Sequence, residues 1–292
     1  MAAETNLITK NQMAKVREID FVQQFTHNSL AKLIEVLGVT RKIPMMEGTT
    51  MYVYTTDGTL QTGDVAEGDI IPLSQYTTTK KSVGEITLKK WRKAVSAEAI
   101  MKSGYNAAVV DTDRALLSDV QKGVRTSMFD FLNNTVSSTT ATGAGLQAAL
   151  ANAWGQLQVK FEDDTAQTVY FVNPVDVSEY LGKANITTQT AFGMTYVEDF
   201  LGLGTVIMSS RITQGTFIAT AKENLILYFL TMNGDVATAF NLTADELGFI
   251  GIKSGYETEE RAQIESLVMS GIQLLVEYEA GVVKGTITSA GV

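Results

Sequence analysis

The feature that most constrains this chain is an alternation near its C-terminal end. Ile264, Ser266, Val268, Ser270, Ile272, Leu274, Val276 and Tyr278 occupy every second position. Side chains alternate across a strand with period two, so these residues share one face of a long strand, and Gly271 is the point at which it would bend. A different period governs 107–133. There Leu116, Leu117, Val120, Val124, Met128, Phe131 and Leu132 form the apolar face of a long helix, with Asp111 and Asp113 in its early turns. Gly123 inside it costs about 1 kcal/mol relative to alanine.

Other elements are mixed without a regular βα alternation. Leu30, Leu33, Ile34 and Leu37 predict a helix capped by Asn28 or Ser29 and stopped by Gly38. Ahead of it, Met13, Val16, Ile19, Val22 and Phe25 form a stripe that drifts round a helix, an arm whose apolar side needs another surface. A further helix is expected over 144–161. Thr168–Val172 reads as a strand, Asn173 as a cap, Pro174 as a first helical residue, and 175–181 as the short helix that follows. Short strands are expected at 205–209, 215–219 and 224–230. The class is therefore α+β, with no internal repeat or proline-rich linker dividing the chain.

Residues 49–90 stand apart. Met51-Tyr-Val-Tyr-Thr-Thr56 has strand composition and runs into Asp57-Gly58, read as a turn pair. Small polar residues and glycines continue through Gly63, Asp64, Gly68 and Asp69. Residues 76–81 and 85–91 then read together as the return strand. A two-stranded excursion with so few core-forming residues is marginal alone in water. It needs another surface, expected to be a neighbouring subunit.

Composition narrows the chemistry. The 292 residues are 45% apolar and 19% charged, ordinary for a folded chain. No apolar run approaches the ~18 residues of a membrane helix; the longest, Leu225–Leu230, suits a buried strand. The first residues lack the basic start and apolar stretch of a signal peptide, so a protein used in the cytoplasm or released by lysis is expected. With no cysteine and a single histidine, His27, thiolate chemistry is excluded and ordinary zinc ligation is disfavoured. A net charge of −9 argues against gripping nucleic acid over a broad face, though not against enclosing it.

Catalytic motifs are missing. The sequence has no P-loop, zinc-binding histidine pair or nucleophile elbow. Gly202-Leu-Gly204 leads into a strand, not a helix, and reads as a turn. His27 sits at a helix junction, away from any orienting partner legible in sequence. Glu162-Asp163-Asp164 matches no calcium loop and reads as a solvated turn. Asn133, Asn185 and Asn241 carry glycosylation spacing by chance, given the absent secretion signal. The basic stretch Lys80, Lys81, Lys89, Lys90, Trp91, Arg92 and Lys93 invites a nucleic-acid reading, but lysines protecting an exposed strand edge explain it as simply. Contact with acidic neighbours is favoured over nucleic acid.

Taken in order, the segments resemble the major capsid proteins of tailed bacteriophages, whose fold is shared with herpesvirus shells and encapsulins. Gly68-Asp-Ile-Ile-Pro-Leu-Ser-Gln-Tyr76, Lys81 and 86–96 resemble the extended E-loop returning into the peripheral domain. Residues 97–105 resemble the entry to the spine helix. Phe171-Val-Asn-Pro-Val-Asp176 with Tyr180-Leu181 resembles the strand-to-helix step of the axial domain. Residues 199–207, 215–221 and 223–225 resemble the strands that follow, and 248–252 with the long strand to Tyr278 the close of the peripheral domain. The ordered set, which covers nearly the whole chain, carries the resemblance.

The resemblance implies a Hong Kong 97-type capsid fold: N-terminal arm and helices at 1–45, E-loop at 46–92, a peripheral domain with the spine helix at 93–143 and 236–292, and an axial domain at 144–235. It implies a shell subunit, not an enzyme, with no cofactor and no membrane. Hexamers and pentamers of this chain would form an icosahedral phage capsid around double-stranded DNA, bound without sequence specificity. Scaffolding and portal proteins would be its partners, and the virion its location after assembly in the bacterial host cytoplasm. Inter-subunit contacts are expected from Met51, Tyr52, Tyr54, Tyr76, Lys80, Lys81, Lys89 and Trp91 of the E-loop and Met13 and Val16 of the arm. The chain departs from relatives that begin with a long helical scaffold extension, so a separate scaffold, a processed precursor or a scaffold-free type is implied. Some relatives cross-link a loop lysine to a neighbour's asparagine. Lys80, Lys81, Lys89 and Lys90 are available, but the catalytic carboxylate cannot be placed, so no cross-link is expected. Two alternatives stand beside this reading: an encapsulin-like compartment housing an enzyme cargo, and an acidic hydrolase using Glu162, Asp163 or Asp164.

Overall fold

The structure, a computed structural model, describes residues 30–39, 41–135, 137, 139–161, 167–182, 187–191, 194–245, 247–258 and 262–288. The arm residues Met13 and Val16, His27, the caps Asn28 and Ser29, and Glu162, Asp163 and Asp164 lie outside the described residues.

The long alternating run becomes two strands, β14 (Gln263–Ser270) and β15 (Ile272–Val276), interrupted at Gly271 as its sequence position predicts. A Cβ at Gly271 would stand 2.5 Å from Leu230 Cδ1, and its carbonyl accepts from Leu230 N at 2.8 Å. The run therefore serves two sheets. β14 lies between β13 (Ile250–Thr258) and β4 (Lys89–Ser96) in a four-stranded sheet ordered β12-β13-β14-β4, where β12 is Thr243–Ala244. β15 pairs with β11 (Leu225–Leu230), which also carries the parallel edge strand β1 (Arg41–Met45).

The helix Thr112–Asn134 underlies both sheets. Leu117, Val120, Val124, Met128 and Leu132 form its inward face against Ile250, Val268, Ile272 and Leu274. Phe129, which the helical stripe did not single out, is also buried, edge-on to Phe171 with centroids 5.5 Å apart. The expected start near 107 is instead a π-helical turn over Asn106–Asp111. The Lys93 ammonium meets that turn, donating to Val109 O at 3.0 Å and Thr112 Oγ1 at 2.9 Å and pairing with the Asp113 carboxylate. Gly123 has a packing reason: a Cβ there would lie 2.9 Å from the Trp91 ring.

A seven-stranded mixed sheet holds the second core. Its order is β5-β16-β10-β6-β9-β8-β7, with β5 Thr139–Ala144, β6 Thr168–Val172, β7 Gln189–Ala191, β8 Met194–Val197, β9 Thr205–Met208, β10 Thr216–Ala221 and β16 Val282–Thr288. All five residues of β6 are buried, and they divide by parity. Val169 and Phe171 join the core under the long helix, whereas Tyr170 and Val172 join Leu146, Leu150, Ala153 and Leu157 of the helix Gly145–Lys160. The turn at 199–204 is the expected one: Gly202 and Gly204 adopt φ of 72° and 136°, and a Cβ at Gly204 would fall 2.1 Å from Thr168 O. Asn173 caps the helix Pro174–Leu181, accepting from Val175 N at 3.0 Å and donating to Ile212 O at 2.7 Å. This sheet takes β5 and β16 from outside 144–235.

Candidate assembly interface

β2 (Thr50–Thr59) and β3 (Gln75–Glu85) form a separate two-stranded sheet. Two sequence expectations change here. Asp57 and Gly58 do not turn; they are extended and face Thr77 and Tyr76. Gly58 is needed because the Tyr76 ring covers it, with Tyr76 Cδ1 at 2.1 Å from where a Cβ would be. An aromatic laid over a cross-strand glycine shields its backbone and fixes register. The expected single return strand is also divided, because Lys89–Ser96 leaves the hairpin to pair with β14.

The hairpin has a rooted end and a free end. At its root Met51, Val53 and Ile86 pack with Leu230, Met232, Leu242, Met269 and Leu275. Met51 is only 1% exposed. It was expected among the contact residues, yet its side chain is occupied inside the chain, because even positions of β2 face outward and odd positions face the body. Tyr52 and Tyr54 lie on the outward face, and the Lys80 ammonium sits 3.6 Å from the Tyr52 ring centre. Lys81, on the body side opposite Val53, pairs with Glu279 at 2.8 Å. From 56 to 82 every residue is exposed except the half-buried Val65.

The connecting segment 60–74 carries the most exposed apolar side chains of this region: Leu60 79%, Ile70 93%, Ile71 73% and Leu73 92%. Ser74 Oγ accepts from Gln61 N at 3.0 Å across its neck. The resemblance covers Gly68–Tyr76, but it assigns no surface to Ile70, Ile71 or Leu73 and does not reach Leu60. Their signal was an apolar cluster, Ile70-Ile71-Pro72-Leu73, in a segment with neither helical nor strand periodicity. Four large aliphatic side chains in water are a standing penalty that only another surface removes.

The basic stretch divides similarly. Lys93 is committed to Asp113, and Arg92 approaches Glu265 at 3.7 Å. Trp91 is half-buried against the long helix, while Lys89 and Lys90 remain exposed on the edge strand β4. At the sheet edge β1, Arg41 grips Glu277 with both guanidinium nitrogens. That hydrogen bond raises the Arg41 pKa despite partial burial. An open cleft of about 730 Å³ is lined by Glu35, Trp154, Gln158, Glu198, Asp199 and Lys222 among others, none of them a histidine or cysteine. Among the described residues no group of three or more acidic or histidine side chains is placed to hold a metal, and no helix is long and apolar enough to cross a membrane.

Solved structures superpose on this chain over most of its length. The SrpI encapsulin of Synechococcus elongatus superposes with a TM-score of 0.53 at 11% identity, over 100% of this chain and 94% of that one. The chain has the Hong Kong 97-type capsid fold. A chain of Gordonia phage Cozz superposes at 0.51 with 13% identity over 88% and 86%, and one from the capsid of an empty GTA particle at 0.50 with 9% over 99% and 94%. No family model matches the sequence, and no curated protein does. The hairpin 50–85 lies within the stretch 46–92 that the resemblance implies as the E-loop, and the helix Thr112–Asn134 is where it implies the spine helix.

Proposed function

We propose that this chain is a structural shell subunit of the tailed-phage major-capsid kind, built to assemble with copies of itself. The observation that carries the reading is the E-loop: a long hairpin rooted by Met51 and Val53, with Leu60, Ile70, Ile71 and Leu73 left in water at its far end. A chain has no use for such a segment alone, whereas a neighbouring copy can cover it, and many weak contacts add in a closed lattice. In this reading the E-loop lies over an adjacent subunit and presents Tyr52, Tyr54, Tyr76 and Lys80, with Lys89 on the nearby edge strand. Met13 and Val16 of the arm reach another copy. Hexamers and pentamers close around double-stranded DNA with the help of scaffolding and portal proteins, in the host cytoplasm, and the chain ends in the virion. The domain division is part of the proposal: arm 1–45, E-loop 46–92, peripheral domain 93–143 and 236–292, axial domain 144–235, with β5 and β16 completing the axial sheet.

A second reading, a protein compartment around an enzyme cargo, is favoured by the likeness to the SrpI encapsulin. Negative-stain electron microscopy of the purified protein tests both. Closed shells, or rings of five and six, are expected; genomic DNA inside selects the virion and a co-purified protein the compartment. A monomer that no scaffold partner converts into shells overturns the assembly reading.

A further inference from the structure

The E-loop leaves the body of the molecule at one place. On its inner face Met51 and Val53 are buried and Thr55 half-buried, and from Thr56 the strand is exposed on both sides. Directly across from Val53 stands Lys81, whose ammonium meets both Glu279 carboxylate oxygens, at 2.8 and 3.0 Å. Among the described residues this is the only ion pair from either hairpin strand to the rest of the chain. Glu279 is itself well placed to resist motion. It opens the 3-10 turn Glu279–Gly281, and the preceding Tyr278 is tied by Asn224, which accepts from Tyr278 N at 2.7 Å and donates to Tyr278 O at 3.0 Å. A rigid anchor thus meets the hairpin where its packing ends.

We infer that Lys81 and Glu279 form a latch that sets the angle at which the E-loop leaves its own subunit. The inference rests on the shell reading for its consequence, but not for its geometry. Thr59 lies six residue steps beyond Val53, about 20 Å at strand rise, so a tilt of about 10° at the pivot moves the strand end by about 3.5 Å. That displacement is comparable to a residue step, enough to change which surface of a neighbour the loop meets. Because the pair is half in water, it biases the angle without locking it; an exposed ion pair shifts a population roughly two- to five-fold. A bias of that size suits a subunit that must fit positions of different curvature.

The chain's lack of cysteine makes the test clean. Spin labels on Thr59→Cys and Gln147→Cys, both exposed positions, report the hairpin-to-body distance in the full-length, unassembled protein by double electron–electron resonance. A narrow distribution is expected for the parent, and a broader or displaced one for Lys81→Gln and for Glu279→Gln. The exchanged pair, Lys81→Glu with Glu279→Lys, should restore the narrow one. High salt should broaden the parent toward Lys81→Gln and leave that variant unchanged. Distributions identical in parent and single variants overturn the latch. So do single variants that broaden while the exchanged pair fails to restore. Particle diameters by electron microscopy are read separately: a parent that forms no shells defeats the assembly reading while the latch stands on its distances.

Discussion

At the scale of single residues, several positions are fixed by what surrounds them. Gly204 combines a φ of 136° with a carbonyl 2.1 Å from any added Cβ, so Gly204→Ala should cost about 2 kcal/mol or more in a denaturant melt. An alanine variant as stable as the parent would mean the 199–204 turn can be rebuilt cheaply. Asp113 presents a larger effect. Its side chain is 5% exposed, holds Lys93, and accepts from Ser266 Oγ at 3.0 Å. Asp113→Ala takes the carboxylate from a part-buried ammonium that still donates to Val109 O and Thr112 Oγ1, and should cost about 3 kcal/mol. The double variant Asp113→Ala with Lys93→Met should recover much of that in the same melt. Tyr256 gives a pH signature. Burial, its 2.8 Å bond to Glu265 and the Glu265 charge push its phenol from 10.0 up to about 12. The folded state therefore keeps a proton that the unfolded chain releases above pH 10, and stability falls from pH 10 to about 12. Tyr170 and Tyr228, also raised by burial, add to that slope. Tyr256→Phe should make it shallower; parallel urea-midpoint curves for parent and variant over pH 9–12 would refute the assignment.

Elements were legible in proportion to how local their causes are. β6, the helix Pro174–Leu181 and the break at Gly271 follow from alternation, a cap with a proline, and a glycine, all readable in a few residues. The misread elements depend on partners far away in sequence. Asp57-Gly58 has the composition of a turn, and pairing with Thr77 and Tyr76, whose ring lies over Gly58, keeps it extended. Lys89–Ser96 continues the hairpin's strand pattern, but its partner is β14 some 170 positions on, where the basic residues find Asp113 and Glu265. Which hairpin side chains stay exposed was half legible for the same reason: the outward tyrosines showed in the pattern, whereas burial of Met51 depended on Leu230, Met232, Leu242 and Leu275. Met51→Ala at the hairpin root should accordingly cost about 2–5 kcal/mol by removing buried volume. Tyr54→Ala, three positions on and exposed, should cost well under 1 kcal/mol in the isolated subunit. Equal effects in a thermal melt would mean that the hairpin root does not belong to the core.

At the scale of the whole molecule, the proposed shell role requires stability and assembly to draw on different parts of the chain, and that separation can be tested in one variant. The cores under the spine helix and the axial sheet contain no residue from 60–74, and neither does the cluster at the hairpin root. Thr59 and Gln75 are register partners, so an Asn-Gly turn can replace 60–74 and close the hairpin without shifting a strand. The shortened subunit should fold with a melting temperature within a few degrees of the parent, since an exposed loop contributes little to it. It should nevertheless fail to close shells. Each copy loses Leu60, Ile70, Ile71 and Leu73, and full burial of such a side chain is worth about 1.5–3 kcal/mol before the costs of association. Repeated around a closed lattice, that loss falls on every subunit contact the loop would make, whereas in a monomer it falls on none. Folded shortened protein that remains as monomers or capsomers in sedimentation and electron microscopy is the expected result. Shells of parental diameter formed without 60–74 would show that the exposed aliphatic cluster serves something other than the neighbouring copy.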